Sequence, residues 1–600
     1  MTIDSERPPR RGGALDVLAI AVAAGVVAGL IHWAELQFAR HVLHHLVWFS
    51  RDFVWMSPIV YTLLLLPLAG IFAILATVVA RPWVVSLAAF FLFWVATFGV
   101  LLPYSEVARI ASLVLAAGIA IQLARWLHAA PDRWLPRYRL FASAGAILVV
   151  AMALVLPRWR AHTADSALSA IPVSAAPEPP PNVLLIILDT VRAASMSLYG
   201  ASVPSTPRLD AWARDAVVFD EAYSTAPWTL PSHASLFTGR YAGEVTADWK
   251  TPLDRADSTL AEQFRARGYA TGAFMANMHY TAWDSGLERG FIAFDDYRRS
   301  WAQLVRSSSW TQTRMYDELL GASSLQDVLQ ALLHPNLSID MKHTFDRKYA
   351  RQVSRQFLDW QAGLGQRPFF AVLNYFDAHQ PYYSPRQFQQ RVRDNEGMSG
   401  YAAAIAYLDT SIDSVLIELQ RRNTLDNTLV IVTSDHGELF DEHGLTGHAH
   451  NLYRNVLRVP LMIRFPPAVP QGTRIAKAIS LRDVAATIVD LTDLSQAAVP
   501  GTSLRVTWTD SASRTSPVLA EVSRAPNVDL SYPTAKGPMK ALLDDSTHYI
   551  RNGDGTEELY RYREDAFEAR NLESHSSGSS LPWRALVDSF LAVRQRRDGR

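Results

Sequence analysis

Five apolar stretches, each near the roughly 20 residues a helix needs to cross a hydrocarbon core, fill the chain before residue 160: 14–36, 56–80, 83–104, 107–127 and 140–157. A soluble helical bundle needs polar faces, and these segments lack them. The first stretch is too long for a cleaved signal peptide, and four more follow it. Trp33, Trp55, Trp83 and Tyr104 fall near stretch ends, where interfacial aromatics gather. The sequence therefore predicts an α-helical transmembrane bundle of five spans over 14–160, preceded by a short segment 1–13.

Arginine placement predicts its orientation. Arg7, Arg10 and Arg11 precede the first stretch, Arg81 lies between the second and third, and Arg125, Arg133, Arg137 and Arg139 flank the loop before the fifth. The opposite loops carry Arg40, Arg51 and Arg109, with Arg158 and Arg160 after the last stretch. Excess positive charge marks the cytoplasmic side. The expectation is a multi-pass protein of the cytoplasmic (inner) membrane, N-terminus inside, with everything after Pro157 extracytoplasmic or periplasmic. A formal net charge of zero and no long basic run speak against nucleic acid as a partner. The absence of cysteine excludes disulfides, thiolate ligands and a cysteine nucleophile.

The segment 161–181 reads as a Pro/Ala-rich linker, with "SAIPVSAAPEPPPN" (169–182) favouring an extended tether. A soluble domain over 182–575 follows, and then a tail over 576–600 that reads as a short helix ending in "RQRRDGR". "NVLLIILD" (182–189), "PFFAVLNYFD" (368–377) and "TLVIVTSD" (428–435) are continuous apolar runs that stop at an aspartate. Central strands of a parallel sheet, covered on both faces, read this way. "YATGAFMAN" (269–277) and "VPLMIRF" (459–465) look like further strands. Helical patterns lie between: "TPRLDAWARDAV", "TLAEQFRARG" with a capping box from Thr259 to Glu262, and 401–421. Alternating strands and helices predict an α/β domain, a mostly parallel sheet flanked by helices. Ligands of such sheets gather at the C-terminal strand ends, where Asp189, Asp435 and His379 fall.

Two segments carry candidate chemistry. "TSDHGELFDEHGLTGHAHNLY" (433–453) holds Asp435 and four of the 17 histidines, His436, His443, His448 and His450. An Asp-His pair after a buried strand can offer a divalent cation one hard oxygen and one imidazole. "STAPWTLPSHASLFTG" (224–239) places Thr229 where a short helix begins. Two readings stand there: the threonine is an N-cap with Gly239 as the stop, or its hydroxyl works in a field that favours anions.

Together "NVLLIILDTVR", "TPRLD", "APWTLPSHASLFTG", "NYFDAHQPY", "TSDHGE", "RVPLMIRFP" and "EELYRYREDAFEARNL" resemble the sulfatase branch of the alkaline phosphatase superfamily, over about 182–572. The resemblance implies one divalent metal held by Asp189, Thr229, Asp435 and His436. It also implies that Thr229 stands where many sulfatases carry the Cys or Ser that becomes formylglycine. Threonine cannot form that aldehyde, so its hydroxyl itself would attack. His379 and His448 are then candidates to bind the ester oxygens or protonate the leaving group, and His233, in place of the motif's usual Arg, to support the nucleophile or to pack behind it. Thr190 stands where calcium-dependent sulfatases have a second Asp, which favours Zn or Mn over Ca. Ala194 stands where similar proteins often have Asp.

The resemblance implies a hydrolase cleaving a sulfate ester or phosphodiester, with an anionic ester as partner, on a lipid or an envelope glycan. Five spans before such a domain also resemble phosphoethanolamine transferases and lipoteichoic acid synthases, so an envelope transferase using a phospholipid donor is the alternative. A membrane scaffold without turnover is a further one. The region 298–367 matches no motif and reads either as a lid or substrate wall above the site or as a packing layer over the sheet. Nothing in the sequence sets the oligomeric state.

Overall fold

All five apolar stretches are helical in the computed structural model, which describes residues 13–79, 81–104, 108–172, 180–297, 299–311, 347–391, 399–494, 499–510, 512–513, 515–526, 528–573, 578 and 580–597. Residues 1–12 of the expected first segment, with Arg7, Arg10 and Arg11, residues 173–179 of the Pro/Ala-rich linker, and the expected boundary at 575 lie outside those residues. The chain divides into two compact units: Met1–Asp165 with Arg298–Pro335, and Ser166–Tyr297 with Asn336–Arg600.

In the first unit, α1 (Ala14–His41), α2 (Phe53–Val79), α3 (Pro82–Leu101), α4 (Arg109–Ala129) and α5 (Pro131–Ser169) are each long and apolar enough to cross a membrane. The fifth stretch proves to be the middle of a 39-residue helix that runs on to Ser169, into the segment read as linker. Small residues let α1 and α2 approach closely: a Cβ on Gly29 would meet the Pro58 nitrogen at 2.3 Å. The segment 299–311 packs in this unit rather than over a sheet. Arg299 Nε donates to Asp52 Oδ2 at 2.7 Å, Ser309 and Tyr61 hydroxyls lie 2.6 Å apart, and the Trp310 ring meets Phe98 at 5.4 Å. Of the region 298–367, then, neither single reading holds; its part 312–346, with Tyr316, lies outside the described residues.

The second unit is built on an eight-stranded sheet. Its strands are β1 (Asn182–Leu188), β2 (Val217–Tyr223), β3 (Ala270–Met275), β4 (Ala293–Asp295), β5 (Phe369–Tyr375), β6 (Thr428–Thr433), β7 (Arg458–Arg464) and β8 (Thr473–Ser480). The order is β8-β2-β7-β6-β1-β5-β3-β4. Every pairing is parallel except those of β7, which runs antiparallel to β2 and β6. All seven residues of β1 and of β5 are buried, as expected of central strands covered by helices on both faces. One such cover is α7 (Ala350–Ala362), whose Phe357 and Trp360 pack on Phe274 and Phe369; this is the packing-layer part of the 298–367 region. Another is α8 (Ser399–Arg421), which carries the core residues Ile405, Leu408, Ile412, Leu416 and Leu419.

A second, antiparallel sheet, absent from the sequence reading, joins β9 (Val518–Val522), β10 (Met539–Leu543), β11 (His548–Arg551) and β12 (Glu557–Tyr560). The tail helix Leu581–Arg597 lies on it, with Val587 fully buried among Leu519, Leu542, Tyr549 and Leu559.

Candidate active site

Four adjacent strands, β6-β1-β5-β3, each deliver a polar residue to the same C-terminal edge. Asp189 follows β1, Asp435 and His436 follow β6, Asn374 sits near the end of β5, and Asn277 lies just beyond β3. Backbone amides fix how the two amide side chains point. Asn374 Oδ1 accepts from the amides of Ala276 and Asn277 at 3.3 and 3.0 Å. Its Nδ2 therefore faces Asp189 Oδ2 at 3.3 Å and His233 Nε2 at 3.4 Å. Asn277 Oδ1 accepts from the amides of His279 and Tyr280, which turns its Nδ2 to Asp189 Oδ2 at 3.0 Å and Thr229 Oγ1 at 3.4 Å.

Helix α6 (Thr229–Thr238) brings in the threonine. Trp228 is its N-cap and makes no side-chain cap bond, so the N-cap reading of Thr229 is corrected: Thr229 is the first helical residue, and its hydroxyl does not cap the amides. Oγ1 stands 3.3 Å from His436 Nε2 instead. Gly239 does end the helix in the left-handed region, at φ 71°. His233, one turn on, places Nδ1 2.9 Å from the Thr229 carbonyl. With both ring nitrogens engaged and the side chain wholly buried, it lies behind Thr229. Burial holds its pKa down to about 4, against the bond to the Thr229 carbonyl. The imidazole is neutral at pH 7.

Asp189, Asp435 and His436 offer ligand atoms that all lie within 4.8 Å of one another. Asp435 Oδ1 accepts from the amides of Thr190 and His436 at 3.2 and 2.9 Å. Asp189 Oδ1 and Asp435 Oδ2 are buried without a hydrogen-bond partner. Two such oxygens side by side are what a cation would satisfy, and burial first, then the charge of Asp435, pushes the Asp189 carboxyl well above its ordinary range. His436 Nδ1 lies 3.1 Å from the Gly437 carbonyl, which fixes the tautomer and leaves the Nε2 lone pair facing Thr229. The residues fit a divalent cation. Thr190 adds no carboxylate; it sits at φ 62°, a strained value for a β-branched residue. Bonds from its hydroxyl to the Asp189 carbonyl and from Tyr401 to its own carbonyl hold it there. Ala194 is solvent-exposed, away from the buried ligand set.

Above this floor lies a cavity of about 410 Å³, lined by Thr229, Asn277, His379, His448, Arg347 and an aromatic wall that includes Trp228 and Trp249. His448 Nδ1 is 2.9 Å from Glu438 Oε1. Burial would push this imidazole's pKa down, but the Glu438 carboxylate outweighs it and the net shift is upward. The rings stand in the order His436, His448, His379, with centroids 4.5 and 5.0 Å apart. Trp228 stacks on Trp249 at 4.5 Å and 7°, and His450 covers the other side of that stack. His443 is elsewhere, stacked on Tyr453. Sequence reasoning thus found Asp189, Thr229, Asp435, His436, His379 and His448 at one site, and missed Asn277, Asn374, Glu438 and Arg347. Asn277 and Asn374 had a signal: each is a polar residue closing a buried strand.

One neighbour is costly. Asp377, beyond β5, is fully buried, and neither oxygen makes a well-formed hydrogen bond. Burial raises its pKa from 3.8 to about 7, and the Ala350 amide and Arg347 offset this only in part. A raised folded-state pKa gives stability that is present below about pH 4 and lost as pH rises through about 7. At 1.36 kcal/mol per pKa unit, up to about 4 kcal/mol is at stake. The wild-type chain is therefore expected to lose Tm between about pH 4 and pH 7, and Asp377→Asn to flatten that fall; an unchanged slope by scanning fluorimetry would show the charge is relieved otherwise.

The eight-stranded sheet carries, at the C-terminal ends of its strands, a buried Asp/Asp/His cluster with the Thr229 hydroxyl beside it. The Sulfatase family model matches residues 181–494, more than half of the chain, and the chain belongs to that family of sulfuric and phosphoric ester hydrolases, with the alkaline-phosphatase-like fold. The match begins next to β1, so the five apolar helices lie outside it. Among its relatives, an uncharacterized sulfatase, YidJ, of Escherichia coli (strain K12) is 24% identical over 438 residues, covering 65% of this chain and 83% of that protein. The choline-sulfatase of Rhizobium meliloti (strain 1021) is 25% identical over 446 residues, covering 66% and 83%. The crystal structure of the phosphonate monoester hydrolase of Agrobacterium radiobacter shares the fold, with a TM-score of 0.51, 20% identity, and coverage of 70% of this chain and 96% of that one.

Proposed function

We propose that this chain is a membrane-anchored, metal-dependent hydrolase that cleaves a sulfate ester, a phosphonate monoester or a phosphodiester with Thr229 as the nucleophile. The observation that carries this reading is Thr229 Oγ1 at 3.3 Å from His436 Nε2, on the cavity floor beside the unpartnered oxygens of Asp189 and Asp435. Those two carboxylates, His436 and Thr229 would hold the cation. It supplies positive charge that lowers the proton affinity of the hydroxyl and offsets the charge of the ester. An imidazole and the lack of a carboxylate at Thr190 favour Zn or Mn over Ca.

The protein groups divide the remaining work. Thr229, its hydroxyl proton lost to solvent, attacks the sulfur or phosphorus and becomes esterified as the bond to the leaving oxygen breaks. His448, whose proton affinity the paired Glu438 carboxylate raises, donates to the non-bridging oxygens as charge builds there. His379 stands further along the cavity; with Nδ1 held on the Gln380 carbonyl, it is the doubly protonated ring that gives its Nε2 proton to the leaving oxygen. Asn277 steadies Thr229 and Asp189 together, while His233 fixes the helix turn behind them. Water then resolves the Thr229 ester. The substrate is an anionic ester of the envelope, on a lipid or a glycan.

Purified full-length protein with Zn or Mn, assayed on an aryl sulfate, an aryl phosphonate monoester and an aryl phosphodiester, tests the reading. Turnover of at least one, with a Thr229 adduct by intact-mass spectrometry, is the expected result. Release of diacylglycerol from a phospholipid with none of the three cleaved would make the chain a transferase.

The five helices and the arginine bias support an N-terminus on the inner side and the hydrolase domain on the outer side. Because the chain has no cysteine, single cysteines can report this. A cysteine at Gly13 should resist an impermeant maleimide in intact cells and one at Lys536 should react; the reverse pattern would invert the topology.

A further inference from the structure

Arg347 lies where the chain returns to the sheet domain, and its backbone forms an antiparallel bridge with Asn277. Its side chain is turned to the loop after β5. Nη1 donates to the carbonyls of His379 and Phe376 at 3.1 and 3.4 Å, and Nη2 to that of Gln380 at 2.7 Å. The guanidinium lies 4.8 Å over the Phe376 ring, and that ring stacks on the His379 imidazole at 4.2 Å and 29°. His379 Nδ1 in turn is 2.9 Å from the same Gln380 carbonyl. One buried cation thus grips both the carbonyl that orients the imidazole and the ring against which it stacks. Arg347, Phe376, His379 and Gln380 all line the cavity above Thr229.

The loop closes without this grip. His379 N bonds to the Phe376 carbonyl, Tyr382 N to that of His379, and Tyr383 N to that of Asp377. What the guanidinium adds is the direction of the Gln380 carbonyl, which none of these amides takes, and its tie to the other two carbonyls, a grip that a fixed fork of donors can make and a single ammonium cannot. A misplacement of about 1 Å in a catalytic group can cost about 100-fold in rate, so such a grip has kinetic consequences even where the fold tolerates its loss.

We propose that Arg347 is a positioning residue that holds His379 in place to protonate the leaving group. The proposal rests on the reading of His379 given above. Loss of Arg347 then slows esters that need a proton on departure and spares those that do not.

The test uses full-length, Mn-loaded protein and alkyl and 4-nitrophenyl esters of whichever anion the wild type cleaves. Arg347→Met should lower kcat about 30- to 100-fold on the alkyl ester and under about 3-fold on the 4-nitrophenyl ester, with KM little changed; Arg347→Lys should fall between. In a His379→Gln background the same substitution should add almost nothing, since the two act as one. Hydrogen exchange on the metal-free protein gives a readout independent of turnover: amides of 376–383 should exchange several-fold faster in Arg347→Met, those of β5 unchanged. An equal loss on both esters, full additivity with His379→Gln, or unaltered exchange at 376–383 would overturn the proposal. If Arg347→Met does not fold, Arg347→Lys carries the same comparisons. Wild-type protein without Thr229-dependent turnover of any ester would instead sink the functional reading, and the exchange result would still decide whether Arg347 holds the loop.

Discussion

Thr229→Ala should abolish turnover, by roughly 10⁴-fold or more, as loss of a nucleophile does, and leave the fold nearly as stable as before. The two halves of that expectation come from the same geometry. The hydroxyl makes no helix cap; its neighbours are His436 Nε2 at 3.3 Å and Asn277 Nδ2 at 3.4 Å. Asn277 keeps its bond to Asp189 without it. The lost contacts are therefore worth about 1 kcal/mol, a Tm shift of a few degrees at most. Thr229→Ser retains the hydroxyl and drops only a methyl group, so activity within about tenfold of wild type is expected. Steady-state rates with intact-mass analysis after acid quench decide the matter: the adduct should be present on Thr and Ser and absent on Ala. An alanine variant that keeps more than about a hundredth of the rate would mean the hydroxyl is not the attacking group.

Much of this site was legible in the chain because its chemistry falls where buried strands end. β1, β5 and β6 are covered on both faces, so each is a run of apolar residues with an abrupt polar stop, and Asp189, Asp377 and Asp435 marked those stops. Strand direction was not legible: "VPLMIRF" is apolar and buried like the parallel strands, yet β7 runs against β2 and β6, because burial sets composition and topology sets direction. β9–β12 are four or five residues each, too short for a period to show. The N-cap reading of Thr229 followed from residue preference, which cannot separate a first helical position from the cap before it. Arg347 had no local signal at all. Its three carbonyl partners lie about thirty residues further on, and only the folded loop brings them to one guanidinium.

Asp435→Asn should move metal binding and metal-free stability in opposite directions. Metal-free, two buried carboxylates face each other with one oxygen apiece unpartnered, and burial raises the pKa of each. An asparagine keeps the acceptor that takes the Thr190 and His436 amides. Its Nδ2 would occupy the place of Oδ2, 3.4 Å from His436 Nε2, which is an acceptor once Nδ1–H is committed to Gly437. A repulsive pair thus becomes a donor-acceptor pair. Removing an uncompensated buried charge is worth several kcal/mol, so the metal-free variant should melt several degrees above metal-free wild type. The same change removes an anionic ligand from a set of four. The rise in Tm on adding Zn or Mn, expected of wild type because a cation binds only the folded state, should shrink or vanish, and turnover should fall by at least about 100-fold. Paired melts with and without metal read both signs in one experiment. A metal-free variant less stable than wild type would mean that Asp435 is relieved by a bond other than those to the Thr190 and His436 amides. An undiminished metal-induced shift would place the cation away from Asp435, and Thr229 would lose the neighbour that makes it a nucleophile.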